Sequence, residues 1–418
     1  MTSFKFLHAA DLHLDSPLRG LARDPEAPAG RIRRATRDAL VNLVDAALAE
    51  RVAFVLLAGD LYDGDWRDWG TGQFLIAQLA RLTTEDIRVV AISGNHDAAS
   101  QMTRHLPWPA GATMLPTDRP ATLDWEDLGV AVHGQGFARR DVAENLARGY
   151  PPPLPGRLNI GLLHTAAGRG GHENYAPCTP EQLAAHGYDY WALGHVHARE
   201  VVAEAPWIVF PGNIQGRDVN EAGAKGATLV TVTDGAIAGL AHLALDVVRW
   251  ARVAVDLGGA ETEAEALARL HAPLAGAIAA AQGRLLALRI ELSGTCAAHA
   301  ALAADPVALR EQVRAEAVAQ AGGAELWLEE VRLATRPPAA PAPRDGALGM
   351  LLAAIDSPPS AELAAALRDH ATALLAKAGT ARNRLPPDHP ALRLAAGERP
   401  AEWLDRARAM LRARLGEG

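Results

Sequence analysis

The run Val52-Ala-Phe-Val-Leu-Leu-Ala58, closed by Gly59-Asp60, is unbroken apolar chain of strand length ending on a glycine and a carboxylate. Such a run predicts a strand buried on both faces, with the acid delivered at its carboxyl end. Working outward, Phe4–Ala9 and Arg88–Ser93 have the same texture, and Arg31–Glu50 and Gly72–Leu82 carry helical spacing between them. Further strands are predicted at Val130–Gly134, Leu158–Leu163, Tyr188–Leu193, Trp207–Phe210, Ala227–Thr233 and Ala236–Ala244. Short strands alternating with helices indicate an α/β layered domain over residues 1–248.

The texture changes near Arg249. Ala251–Leu257, Leu285–Leu292 and Leu326–Leu333 alternate like half-exposed strands, with Ala-rich helical segments between them, which predicts a small separate βαβαβ module over 249–335. Arg336–Arg344 (RPPAAPAPR) opens a proline-rich linker, 336–346, expected to be stiff and extended. Residues 347–418 are rich in Ala, Leu and Arg, with helical spacing in Glu362–Lys377 and Glu402–Leu415. In the latter, Trp403, Leu404, Ala407, Leu411 and Leu415 share one apolar face, fit to pack on its own domain or on a partner.

The chain has 418 residues, 49% hydrophobic and 22% charged, a balance that excludes a disordered chain or a disulfide scaffold. Two distant cysteines, Cys178 and Cys296, provide neither a disulfide framework nor a thiolate zinc site. No apolar run reaches the roughly 20 residues of a membrane helix, and no signal segment precedes His8, so a soluble cytoplasmic protein without membrane contact is expected. A net charge of −8 argues against a surface coated for nucleic acid.

Five short segments each follow a predicted strand: Asp11-Leu-His13, Gly59-Asp60, Gly94-Asn95-His96-Asp97, His164 and Gly194-His195-Val-His197. In a layered α/β domain the carboxyl ends of strands converge on one crevice. Asp11 with His13, and His195 with His197, are two apart and so project to the same side of an extended chain. Glycines before Asp60, Asn95 and His195 are expected to make the sharp exits. Mixed imidazole and carboxylate donors suit Mn²⁺, Fe²⁺ or Zn²⁺ better than Ca²⁺. Seven such groups exceed what one substrate-accessible ion can use, whereas two ions sharing a carboxylate account for them. No phosphate-binding loop of the Gly-x-x-x-x-Gly-Lys-Ser/Thr type occurs, so Gly168-Arg-Gly-Gly171 is expected to be a lid and any ATP-driven step needs another protein. His8 is expected in a buried structural role and His133 in the core.

The ordered set Asp-x-His, Gly-Asp, Gly-Asn-His-Asp, His, Gly-His-x-His resembles the signature of calcineurin-like metallophosphoesterases. Within them the opening LHAADLHLDSP is similar to SbcD-type DNA repair exonucleases. The stretches His172–Pro177, Tyr190–Arg199 and Pro211–Arg217 resemble the YhaO-like branch of that family. The resemblance implies an α/β fold: a layered β-sandwich flanked by helices, carrying a small α+β capping domain that guides DNA and a helical C-terminal tail. It implies one ion on Asp11, His13, Asp60 and His197 and another on Asp60, Asn95, His164 and His195, with manganese first and Mg, Fe or Zn as alternatives. His96 would be the general acid and Asp97 would orient its ring. Archaeal and eukaryotic relatives have a second His three residues after the bridging acid. This chain has Asp63 there, which bears on phosphate handling and makes Asp63 a candidate substrate contact. Arg67, between Trp66 and Trp69, and His172, in the glycine-rich loop, are further candidates for substrate contact.

The leading function at this point is a metal-dependent phosphodiesterase on DNA, an exonuclease subunit in repair working with a separately encoded SMC-like coiled-coil ATPase; the resemblance also implies a homodimer. A phosphatase or phosphodiesterase for small molecules, nucleotides or phosphoproteins stays open, as does an architectural subunit that binds DNA ends or an ATPase.

Overall fold

The structure, a computed structural model, describes residues 2–16, 27–63, 69–99, 107–169, 173, 175–338, 350, 353–355, 357, 361–377, 389–398, 405, 407–408 and 410–411. Arg67, Trp66 and His172, most of the proline-rich linker and most of the Glu402–Leu415 stripe lie outside the described residues.

Two six-stranded mixed sheets dominate the first 250 residues. Strands β1 (Phe4–Ala9), β2 (Phe54–Ala58), β3 (Arg88–Ile92) and β4 (Ala112–Met114) run parallel in the first sheet. Antiparallel strands follow on the far side of β1, after β5 (Ala121–Trp125), β6 (Val130–Gly134), β7 (Leu158–His164), β8 (Tyr190–Gly194), β9 (Glu200–Glu204) and β10 (Trp207–Phe210) have built the second sheet. These are β11 (Gly226–Thr233) and β12 (Ala236–Ala244), giving the order β12-β11-β1-β2-β3-β4. The second sheet has the order β5-β6-β7-β8-β10-β9, with β6, β7, β8 and β10 parallel.

Period-2 alternation assigns each side chain to a layer. Phe6, Phe54, Leu56, Val90 and Ile92 face Val132, Ile160, Leu162, Tyr190 and Ala192 across the space between the sheets. Leu7, Val55, Leu57 and Val89 point the other way, against α1 (Ala29–Glu50) and α2 (Trp69–Thr84). Leu163, Trp191 and Leu193 cover the outer face of the second sheet. Both faces of these strands are thus buried, which is why their sequences lack polar alternation.

One polar device sits in the inter-sheet layer. His8, fully buried on β1, donates from Nε2 to the Leu193 carbonyl (3.1 Å) and accepts from the Tyr190 hydroxyl at Nδ1 (3.0 Å). Burial keeps its ring neutral, with the pKa down to about 3. The bond joins the strand that leads to Asp11 to the one that leads to His195. His133 is likewise buried, between Thr122 and Asn159.

The chain divides into two compact units, Met1–Arg252 with Ile278–Leu288 and Gly323–Glu329, and Val253–Ala277 with Arg289–Gly322 and Glu330–Gly418. Strands β13 (Val248–Asp256), β14 (Leu285–Thr295) and β15 (Leu326–Arg336) pair in one sheet with β14 central. Their opening residues Val248, Trp250, Leu285, Ala287 and Trp327 pack with Ile32, Ala35 and Val219, inside the first unit.

Among the described residues, the helices Glu263–Ala268, His299–Ala304, Pro306–Ala321, Ala361–Lys377 and Pro390–Ala395 lie in the second unit, and His271–Ala281 begins in it. Thr262 and Asp305 cap two of them through backbone N–H groups, as their side chains favour. Among the described residues, no helix is long and apolar enough to cross a membrane.

Candidate metal centre

Every expected ligand lies at the carboxyl end of a strand. Asp11 and His13 follow β1, Asp60 follows β2, and Asn95 and His96 follow β3. His164 ends β7, and His195 and His197 follow β8. The loops are tied to one another: Asp11 N–H donates to Gly59 C=O and His13 N–H to Asp60 C=O, both at 3.0 Å, and Thr165 N–H donates to Gly194 C=O at 3.1 Å.

The glycines serve differently from the expectation. Of the three, only Gly59 has a positive φ, 90°. Gly94 and Gly194 are required by close approach: a Cβ would lie 2.2 Å from Asp60 Oδ1 at the first and 2.0 Å from the Ala58 carbonyl oxygen at the second. The left-handed backbone instead falls on the functional residues themselves, Asp11 (53°), His13 (43°), Asp60 (51°) and His195 (96°). Non-glycine residues hold such angles only where surrounding bonds over-determine them, at a cost of about 1–3 kcal/mol each.

The side chains gather. The ligand atoms of Asp11, His13 and His197 lie within 4.8 Å of one another, as do those of His13, Asp60 and His96 and those of Asp11, Asp60 and His164. His13 Nε2 approaches His197 Nε2 at 3.1 Å and Asp60 Oδ2 at 3.8 Å, and His164 Nε2 approaches Asn95 Oδ1 at 2.9 Å and Asp60 Oδ2 at 3.5 Å. His164 donates from Nδ1 to the Ala58 carbonyl (2.9 Å), which turns Nε2 toward Asn95 and Asp60.

His195 stands outside the three tight groups. Its Nε2 donates to the Glu173 carbonyl at 2.9 Å, so Nδ1 carries the lone pair, and its ring is 5.2 Å from that of His164. Its backbone N–H donates to both oxygens of Asp11.

These atoms fit a divalent pair. Oxygen and imidazole-nitrogen donors crowd within 4.8 Å in three overlapping groups, and His13 Nδ1 is buried without a hydrogen-bond partner. Although burial disfavours its charge, His164, His13 and His96 hold Asp60 below the usual carboxylate range, so the shared acid is ionised.

His96 lies beside this cluster, and its partner is a correction. Its Nδ1 pairs with Asp63 Oδ1 at 2.8 Å, not with Asp97. Asp97 is turned into the protein, where its carboxylate accepts N–H bonds from Leu61 (3.1 Å), Tyr62 (2.9 Å) and Gly94 (3.0 Å). It pins the Asp60 loop to the Asn95 loop. Asp63, expected at the substrate, is mostly covered and engaged by His96, Ser16 and Arg217. The Asp63 hydrogen bond outweighs desolvation and raises the His96 pKa above the ordinary imidazole value.

A cavity of about 400 Å³ opens onto Asp60, Asn95, His96, His195 and His197. Arg140, Glu221 and Lys225 also line it, and sequence reasoning named none of them. Only the neighbouring Pro211–Arg217 stretch hinted that the segment after β10 returns to the site. Lys225 Nζ donates to the His197 carbonyl at 2.8 Å. Trp69, at the start of α2, is 54% exposed.

Residues 4–199 match the family described as calcineurin-like phosphoesterase, and residues 250–336 match the middle domain of metallophosphoesterase YhaO. The chain is 39% identical over 262 residues to the uncharacterized metallophosphoesterase YhaO of Bacillus subtilis, covering 62% of this chain and 64% of that one. It is 33% identical over 100 residues to a subunit of the SbcCD nuclease of Rhodobacter capsulatus, 23% of this chain and 22% of that one. To the DNA double-strand break repair protein Mre11 of Methanopyrus kandleri it is 23% identical over 229 residues, 50% of this chain and 48% of the relative. The chain thus spans less than two thirds of the length of these relatives. The strand-end cluster and these matches agree: residues 4–199 form a calcineurin-like metallophosphoesterase domain, in a chain similar to the YhaO-like branch.

Proposed function

We propose that the protein is a metal-dependent phosphodiesterase acting on DNA, an exonuclease subunit that works with an SMC-like ATPase. The observation that carries the chemistry is the sharing of Asp60 between two groups of ligand atoms beside the His96–Asp63 pair, at one open cavity. Asp11, His13, Asp60 and His197 would hold one ion and Asp60, Asn95, His164 and His195 the other, with manganese the ion proposed for this mixed donor set. When bound, such ions supply the charge that draws in phosphoryl oxygens and lower the pKa of water.

The chain's own residues do the rest. Asp63 holds the His96 ring through Nδ1 and favours its charged form, so that Nε2 presents a proton to the departing ester oxygen. Asp97 keeps the loops of Asp60 and His96 at fixed separation. The match of residues 250–336 and the relatives named as nuclease and break-repair proteins support DNA over a small ester.

The test is digestion of end-labelled linear duplex DNA by the full chain with Mn²⁺, Mg²⁺ or EDTA, beside a chromogenic phosphodiester. Metal-dependent shortening of the DNA is expected. Hydrolysis of the small ester alone would move the substrate to small molecules, and no hydrolysis of either would leave an architectural role.

A further inference from the structure

Glu221 ends a single turn, Val219–Glu221, that lies beyond residue 199 and before residue 250, outside both matched ranges. Its carboxylate is gripped at both oxygens. Oε1 accepts from His197 Nδ1 at 2.7 Å and from Arg217 Nη2 at 2.8 Å. Oε2 accepts from the buried Asn213 Nδ2 and from the Arg217 backbone N–H, both at 2.8 Å. Arg217 also reaches toward Asp63, at 3.7 Å, so one guanidinium stands between the partner of His197 and the partner of His96.

A carboxylate in this setting only accepts hydrogen bonds, and a neutral imidazole has one N–H to give. The 2.7 Å contact therefore places the His197 proton on Nδ1. Arg217 Nη2 lies 3.2 Å from the same nitrogen, farther than from the carboxylate that it serves. The lone pair is left on Nε2, the atom that meets His13 Nε2 at 3.1 Å and Asp11 Oδ1 at 3.8 Å. Glu221 touches the opposite side of the ring from that cluster, so it is not itself a ligand.

We propose that Glu221, clamped by Arg217, is a positioning residue that fixes the tautomer and orientation of His197 for one of the two ions. This rests on the metal-centre reading above. A carboxylate behind a ligating imidazole raises its basicity and its hold on the ion.

Two measurements on the full chain test it. In chelated wild-type protein labelled with ¹⁵N-histidine, at about pH 8, long-range ¹H–¹⁵N spectra should show His197 protonated at Nδ1, with His197→Gln identifying its signals. In Glu221→Met the donor left beside Nδ1 is Arg217, and the proton should move to Nε2. Mn²⁺ titration followed by the free-ion paramagnetic resonance signal should then show one of two ions weakened by about 10–100-fold. Glu221→Asp, which keeps the carboxylate, should restore the Nδ1 tautomer and part of the affinity.

An Nε2-protonated His197 in the wild type overturns the proposal even if Glu221→Met fails to fold. So does a folded Glu221→Met that binds two ions as tightly as wild type. Wild-type protein that takes up no Mn²⁺ sinks the metal-centre reading instead, while the tautomer still decides how Glu221 holds the ring.

Discussion

Gly94→Ala isolates the packing demand of the centre. Gly94 lies outside the left-handed region, so alanine brings no backbone strain, only a methyl group. That methyl would sit 2.2 Å from Asp60 Oδ1 and 2.7 Å from Asp60 N. To reach an ordinary 3.4 Å contact the carboxylate oxygen must retreat by about 1.2 Å, and it gives up the 2.9 Å bond that it accepts from His96 N–H. Because the Asp60 backbone nitrogen must give way too, the Asp60 loop shifts with its carboxylate; overpacking of this kind costs about 1–3 kcal/mol, small enough to leave the domain folded. A displacement near 1 Å at a reacting centre is worth about 100-fold in rate. The expected result is a folded protein whose Mn²⁺-dependent kcat/KM on a chromogenic phosphodiester falls at least about 100-fold, with looser binding of both ions. Gly149→Ala, where a methyl meets nothing within 4 Å, is the control and should behave as wild type. A Gly94→Ala protein with wild-type kcat/KM and two equally tight ions would refute the reasoning, because the shared carboxylate would then not need its place.

His96→Asn should keep both ions, counted by Mn²⁺ titration, while kcat falls by about 10²–10⁴-fold, the usual weight of a general acid. Full activity in that variant would remove His96 from the reaction. Asp60→Asn leaves the shape but halves the acceptor character of the acid shared between two ligand groups; calorimetric titration should show both ions weakened together, and loss of only one would end its shared role. Away from the centre, Asp246→Ala strands the buried Arg249 guanidinium, bonded to it through two nitrogens, and should cost about 3–5 kcal/mol in urea unfolding. A loss under about 1 kcal/mol would mean that the pair is not dry.

The inner strands were readable because both of their faces are buried. Phe54–Ala58 and Tyr190–Gly194 are fully buried runs, and runs of that kind have few other ways to fold. The strands missed, Ala112–Met114, Ala121–Trp125 and Glu200–Glu204, are short and half exposed, and their apolar pattern carries little signal. The glycines beside Asp60, Asn95 and His195 were legible as requirements, but not whether each one answers to a positive φ or to a neighbour 2 Å away.

By itself, then, the order of residues determined the alternation of strands and helices and the set of acids, amide and imidazoles delivered at strand ends. Covalent spacing dictates both, since an apolar run must be buried and its last residues must emerge at one edge. Which side chain faces which was decided only by the fold. Asp97 is next to His96 in the chain yet serves Leu61, Tyr62 and Gly94, while Asp63 holds the ring from another loop. Glu221 reaches His197 across 24 positions. Hydrogen bonds act over about 3 Å of space, a distance that sequence separation does not encode.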